Sequence, residues 1–369
     1  MIRKVERVVF LTGNYYEQIV GGAEYQSYLL AKEALRRGYE VHYIFISNGN
    51  QFEKHLDINL HPISKKKLER KIGIDKILYF NQIRKLLKNI QPDFIYQRGG
   101  SALTGIAAIC AKKYGIKMIW HIASDNDLIS LNKMRTINNL TDGLNRVILD
   151  YGIRKCDVIL AQSYNQNDLL KHRFSRQCDA VVPNGQPRPK NQIKTSERVI
   201  ILWIANMKPL KQPEIFVQLA ESLSNIKNVS FLMIGRASLL KEDRRLLEKI
   251  KRTPNLECFG EIPNREVNKH LSEAHILVNT SWYEGFSNTF IQAWMRSVPV
   301  VSLNVDPDGI LERERIGYHS KTFENLCRDV TLLIENKTLR EEMGARARRY
   351  AVDNHTAENM VERVTGFFQ

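Results

Sequence analysis

The stretch SWYEGFSNTFIQAW (residues 281–294) carries one carboxylate, Glu284, among aromatic and small residues, and a neutral amide, Gln292, further on. The apolar run HILVNT precedes it, so Glu284 falls in a loop after a strand. Ser287 and Asn288 are good N-cap types, and the next helix is expected to begin there. An unbroken helix would set the two polar residues about 80° apart around its axis. The loop break lets both face one ligand, and free N–H groups at Ser287, Asn288 and Thr289 suit a diphosphate. The plainer alternative is an amphipathic helix that happens to carry one charge. In WIANMKPLKQPEIF, Lys208 and Lys211 lie between a strand and a helix whose first turn suits Pro213. Lysines beside a helix N-terminus can neutralise a phosphate by charge and dipole together; a solvated loop is the other reading.

Three further stretches could do chemistry. In KMIWHIASDND, His121 closes a strand, as a ligand contact or as a structural residue. Asp125 and Asp127 spell DxD, which can hold a divalent cation with a nucleotide diphosphate, yet DND is also a common turn or helix cap. GGAE (Gly21–Glu24) precedes a helix, where Gly21 and Gly22 permit close backbone approach to an anion or simply form a tight loop. No GxGxxG follows a strand, and neither GxxxxGK[ST] nor GxSxG occurs. Five dispersed cysteines without a CxxC pair suggest reduced thiols in a cytosolic compartment and no structural zinc.

These residues need strands and helices to position them. Short β-branched runs alternate with helical patterns from VVFLTG onward, which argues for mostly parallel sheets with helices on both faces, an α/β fold. GQPRPKNQIKTSER, with two prolines and no periodicity, reads as a linker. The expected organisation is a first domain at 1–184, the linker at 185–198, a second domain at 199–345, and a terminal segment at 346–369. Ligands of open α/β sheets bind beyond the C-terminal strand ends, so a cleft between two such domains is the expected site. The N-terminal run Val8–Leu11 is too short for a signal-peptide core and reads as a buried strand. The net charge of +15 is concentrated in Lys65–Lys88, with nine basic residues against Glu69 and Asp75. That segment is either a solvated helix with one buried face or a surface for anionic lipid headgroups. No nucleic-acid module is visible.

Taken together, the chain resembles the retaining glycosyltransferases of family 4 (glycosyl transferases group 1), with GT-B architecture, over essentially its whole length. The resemblance rests on GGAE, His121 after a strand, VVPNG, the loop ending in Lys211, MIGRA, FGEIP, EGFSNTFIQAWMRSVPVV and the closing EEMGARARRYAVDNHTAENMVERV. It implies two Rossmann-like domains facing each other across a cleft. The first would bind acceptor and the second the nucleotide sugar, with a terminal helix crossing back to the first. Lys211 would bind the donor's diphosphate, Glu284 the donor sugar, and the backbone of Gly285, Phe286, Ser287, Asn288 and Thr289 the phosphate oxygens. Gly21 and Gly22 would line the site, His121 would lie near the transferred sugar, and Gly235, Arg236 and Ile262 would border the nucleobase. Asn206 stands where the family has Arg, with Lys208 as its substitute, and Gln292 replaces the second Glu, which grips the ribose.

The implied activity is transfer of a hexose from a UDP-, GDP- or ADP-sugar to a glycan or lipid-linked hydroxyl, with retention and no essential metal or other cofactor. The setting would be surface polysaccharide synthesis in the cytoplasm, with peripheral contact at an anionic membrane face and no nucleic-acid partner. A nucleotide-sugar epimerase and an inactive sugar-binding relative are the alternatives.

Overall fold

A computed structural model describes residues 6–16, 21–47, 49, 57–64, 79–128, 140–189, 198–237 and 241–368. Residues 65–78 of the basic segment and 190–197 of the linker lie outside the described residues. The chain forms two compact units, one of residues 1–185 and 357–369, the other of 186–356.

The first unit contains β1 (Arg7–Thr12), α1 (Gly22–Arg36), β2 (Glu40–Ser47), β3 (Asn59–Ser64), α2 (Phe80–Ile90), β4 (Phe94–Arg98), α3 (Ala102–Tyr114), β5 (Lys117–His121), α4 (Leu140–Lys155), β6 (Val158–Ala161), α5 (Tyr164–Phe174) and β7 (Ala180–Val181). Its strands form one parallel sheet in the order β3-β2-β1-β4-β5-β6-β7. The central strands are apolar on both faces because both are covered by helices. One face buries Ile83 and Leu87 of α2, Leu103 and Ala107 of α3, and Leu149 and Ile153 of α4. Among the described part of the basic segment, α2 thus turns Ile83, Leu87 and Ile90 inward while Lys85 and Lys88 are exposed. Local chemistry sets the helix limits: Ser101 and Thr104 form a capping box on α3, and Gly115 ends it at φ 66°.

The second unit contains β8 (Val199–Ile204), α6 (Pro213–Ser222), β9 (Val229–Ile234), α7 (Lys241–Arg252), β10 (Leu256–Cys258), α8 (Asn264–Glu273), β11 (Ile276–Asn279), α9 (Asn288–Trp294), β12 (Val300–Ser302), α10 (Ile310–Arg313), β13 (Gly317–His319), α11 (Phe323–Glu335) and α12 (Lys337–Asn354). Its parallel sheet runs β10-β9-β8-β11-β12-β13. Phe216, Val217, Val330 and Leu333 fill one face, and Leu271, Phe290, Trp294 and Ala347 the other.

The chain returns to the first unit at Ala357, later than the expected 346. The reason is packing: Ala347 and Ala351 of α12 are fully buried with Phe290 and Trp294 of α9. Only α13 (Ala357–Thr365) joins the first unit, burying Met360, Val361 and Val364 beside Leu30 and Ala34 of α1. Each buried Met, Val or Leu side chain of this set contributes about 1.5–3 kcal/mol. No helix among the described residues is long and apolar enough to cross a membrane.

Candidate active site

In the second sheet β8 and β11 are neighbours, although two strands and three helices separate them in sequence. This is the point where strand order reverses, and loops at such points leave an opening for ligands. The β8 loop ends in a short 3-10 turn, Pro209–Lys211, before Gln212 at φ 45° and the start of α6. The β11 loop carries Glu284. Lys211 Nζ lies 2.9 Å from Glu284 Oε1, with both side chains partly covered.

Side chains and backbone stitch these loops together. Thr280 Oγ1 donates to Lys211 O at 2.6 Å and accepts from Trp203 Nε1 at 2.9 Å. Gln212 Nε2 donates to Thr280 O, and Trp282 N to Leu210 O. Glu284 Oε1 also accepts from Ser281 Oγ at 2.6 Å and Asn279 Nδ2 at 2.9 Å. Burial alone would raise the Glu284 pKa. The Lys211 ammonium and the Ser281 and Asn279 donors outweigh it and hold the carboxyl below its ordinary range. Glu284 is therefore an ionised acceptor. Its Oε2 has no partner among the described residues and is not sealed from solvent.

The next helix, α9, begins at Asn288 with Ser287 as its N-cap, as the residue types require. Ser287 caps nothing with its side chain; its hydroxyl lies 2.9 Å from that of Thr289. Phe286 is buried against Trp294 and His355, which fixes the backbone from Gly285 onward. Gln292 sits a turn into α9, and its side-chain amide makes no hydrogen bond among the described residues.

Asn206, Lys208, Gly235, Arg236 and Ile262 gather at the ends of β8, β9 and β10. Asn206 Oδ1 accepts from Arg236 N at 3.4 Å, and Met207 N donates to Arg236 O at 2.9 Å. Gly235 N donates to Gly260 O at 2.8 Å. At φ 149°, a Cβ on Gly235 would lie 1.7 Å from Ala205 O, so only glycine fits this close crossing. Lys208 and Asn206 are exposed, and Arg236 pairs loosely with Glu261 at 3.8 Å.

In the first unit, Gly21 is the N-cap of α1 and Gly22 its first residue. His121 closes β5 as expected, but its ring is wholly buried. Its Nε2 lies 2.9 Å from Val182 O, so Nε2 carries the proton, and Nδ1 lies 2.9 Å from the Tyr96 hydroxyl. Both ring nitrogens are thus engaged inside the unit. Burial and the nearby Arg98 cation push its pKa well below 6.5, against the Val182 carbonyl. In the unfolded chain the ring binds a proton below about pH 6.5 and in the native state it does not, so stability falls as pH drops. We expect a urea midpoint lower at about pH 5.5 than at about pH 7.5, with a smaller difference in His121→Asn. An identical pH difference in both proteins would refute this assignment.

The DxD carboxylates also point inward. Asp127 Oδ2 accepts from the backbone of Ala123 and Ser124, and Asp125 Oδ1 from Gln166. Burial raises the Asp127 pKa despite those donors. These are loop-fixing contacts.

Two family models match the chain. Residues 20–186 match Glycosyltransferase Family 4 and residues 186–350 match Glycosyl transferases group 1. The chain belongs to the group 1, family 4 glycosyltransferases of the GT-B type. A poly(ribitol-phosphate) alpha-N-acetylglucosaminyltransferase of Staphylococcus aureus is 24% identical over 70% of this chain, which spans 51% of that relative. A glycosyltransferase of Haemophilus influenzae is 22% identical over 94% of this chain and 96% of its own. The structure of Anabaena HepE in complex with UDP superposes at a TM-score of 0.77, with 14% identity and coverage of 98% and 99%. At that identity the likeness shows the fold alone.

The sequence singled out Lys211 and Glu284, and the structure pairs them in this glycosyltransferase; Asn279, Thr280 and Ser281, which hold them, were not singled out. The signal was a polar run, NTS, closing an otherwise apolar strand.

Proposed function

We propose that this glycosyltransferase moves a hexose from a nucleoside diphosphate sugar to a hydroxyl of a surface glycan or lipid-linked acceptor, with retained anomeric configuration. The observation that carries the reading is the Lys211–Glu284 pair at the switch point of the second sheet. Ionisation at the anomeric carbon puts charge on the departing diphosphate. Lys211 and the amides of residues 285–289 are set in place to receive it before the reaction starts. Glu284, ionised and anchored through Oε1, offers Oε2 to a sugar hydroxyl. The acceptor attacks from the face that the leaving group vacates, and a phosphate oxygen takes its proton. No carboxylate base and no metal ion is needed. Gln292 holds the ribose with an amide, a weaker grip than a charge-assisted bond.

Support for a uridine donor and a surface polymer comes from the relatives: HepE was crystallised with UDP, and the Staphylococcus aureus protein is named for transfer to poly(ribitol-phosphate). Incubation with UDP-glucose or UDP-N-acetylglucosamine and no acceptor tests the reaction class. Slow release of UDP and free sugar is expected. Isomerised nucleotide sugar would instead establish an epimerase, and failure to bind any UDP-, GDP- or ADP-sugar would sink the transferase reading.

A further inference from the structure

The two sheets share a strand order in which the first strand of each lies between its second strand and a later one. In the second sheet that reversal, between β8 and β11, holds Lys211 and Glu284. In the first sheet the same reversal lies between β1 and β4, and β4 ends in Arg98. Arg98 is only 6% exposed. Its Nη1 donates to the Tyr96 hydroxyl at 3.0 Å and to His121 Nδ1 at 3.1 Å, and its Nη2 donates to Asn184 Oδ1. All three partners are neutral. Among the described residues no carboxylate pairs with Arg98, and its buried Nε has no hydrogen-bond partner.

A guanidinium cannot shed its proton, so a buried one keeps its charge and its five donors. Buried charges are ordinarily paired, and an orphaned buried donor calls for an explanation. Here Tyr96, His121 and Asn184 hold the group in one orientation without neutralising it. Nε–H has no partner and Nη2 carries a second N–H beyond the one given to Asn184; the Nε–H edge of a guanidinium is the edge that, with Nη2, grips two oxygens of a phosphate or carboxylate. The neutral state of His121 belongs to the same arrangement, since its Nδ1 serves as an acceptor for the cation.

We propose that Arg98, at the switch point of the first sheet, is the anchor of an oxyanion site that takes a phosphate or carboxylate group of the sugar acceptor. The word acceptor rests on the transferase reading; the oxyanion chemistry does not. The site makes an anionic glycan a better acceptor than its neutral counterpart.

Titration calorimetry on the full chain tests this with inorganic phosphate, glycerol 3-phosphate and glucuronate, against glycerol and glucose. Glycerol 3-phosphate binding without glucuronate assigns a phosphate acceptor, and the reverse assigns a uronic acid. Arg98→Gln should weaken the bound anion roughly 10- to 100-fold while leaving UDP affinity unchanged. Equal affinity in wild type and variant, or no heat with any of the three anions, overturns the proposal. Should Arg98→Gln not fold, Arg98→Lys keeps the cation but loses the planar fork, and wild-type anion affinity in it overturns the proposal. Wild type that binds an anion but not UDP supports the site and sinks the transferase reading; UDP binding without any anion does the reverse.

Discussion

Lys211→Ala is expected to lower kcat/KM for the sugar donor roughly 100- to 1000-fold, the usual cost of removing one preorganised donor to transition-state charge. The expectation follows from how the ammonium is held. Lysine has three N–H donors, and Glu284 Oε1, 2.9 Å away, is the carboxylate paired with it. The other donors are left for a diphosphate, and the Lys211 carbonyl is fixed by Thr280 Oγ1 at 2.6 Å. A loose surface lysine would have to be ordered at each turnover; this one is already in place. Arg occupies a different volume with a planar head, so Lys211→Arg should recover only part of the activity. UDP affinity should fall along with turnover, because the charge on the diphosphate exists in the ground state as well. Wild-type kcat/KM in Lys211→Ala would remove this residue from the mechanism.

Much of that arrangement could be read from the sequence, for identifiable reasons. Both sheets follow from alternation, since helices on two faces demand strands apolar on both sides, as in VVFL and ILVN. Lys211 and Glu284 were legible as loop residues after strands. Their ion pair was not, because strand order within a sheet is a tertiary choice that local pattern does not encode. The Thr280–Lys211 bond that secures it joins residues 69 apart. His121 was legible in type and place, but a strand end reveals nothing of burial. Its ring fills the space between Tyr96 and Arg98 of β4 and the Val182 carbonyl, two stretches well separated from it in sequence. Arg98 was invisible for the same reason: in FIYQRGG it reads as an ordinary arginine at a strand exit. The return of the chain falls at Ala357 and not at 346, a boundary hard to read locally because only His355 and Thr356 separate α12 from α13. The burial of Ala347 and Ala351 among aromatic residues of α9 keeps α12 with the second unit.

Glu284→Ala should damage the reaction as severely as loss of Lys211, but by a separable route. Three donors converge on Oε1, from Lys211, Ser281 and Asn279. Truncation leaves all three short of an acceptor, which costs about 1–3 kcal/mol of folding stability for each group left buried and unsatisfied. Glu284→Gln keeps the shape and one acceptor oxygen while removing the charge, so it separates the carboxylate's role in binding sugar from its role in packing. In Glu284→Gln, affinity for UDP should change only a few-fold, whereas kcat/KM for UDP-sugar should fall by about 100-fold or more. The contrast arises because Oε2 is offered to the sugar and not to the nucleotide. The pH profile supplies a second check. Because the folded-state carboxyl titrates below the ordinary 4.5, the ionised form and its contribution persist through neutral and mildly acidic solution. Both are lost only as pH falls through that lowered value. The acid limb of kcat/KM should therefore not report Glu284 near 4.5 in the wild type. In Lys211→Ala, with the neighbouring cation gone and burial left to dominate, that limb should move upward. A limb that stays put in Lys211→Ala, together with wild-type turnover in Glu284→Gln, would show that the pair is structural and that the sugar is held elsewhere.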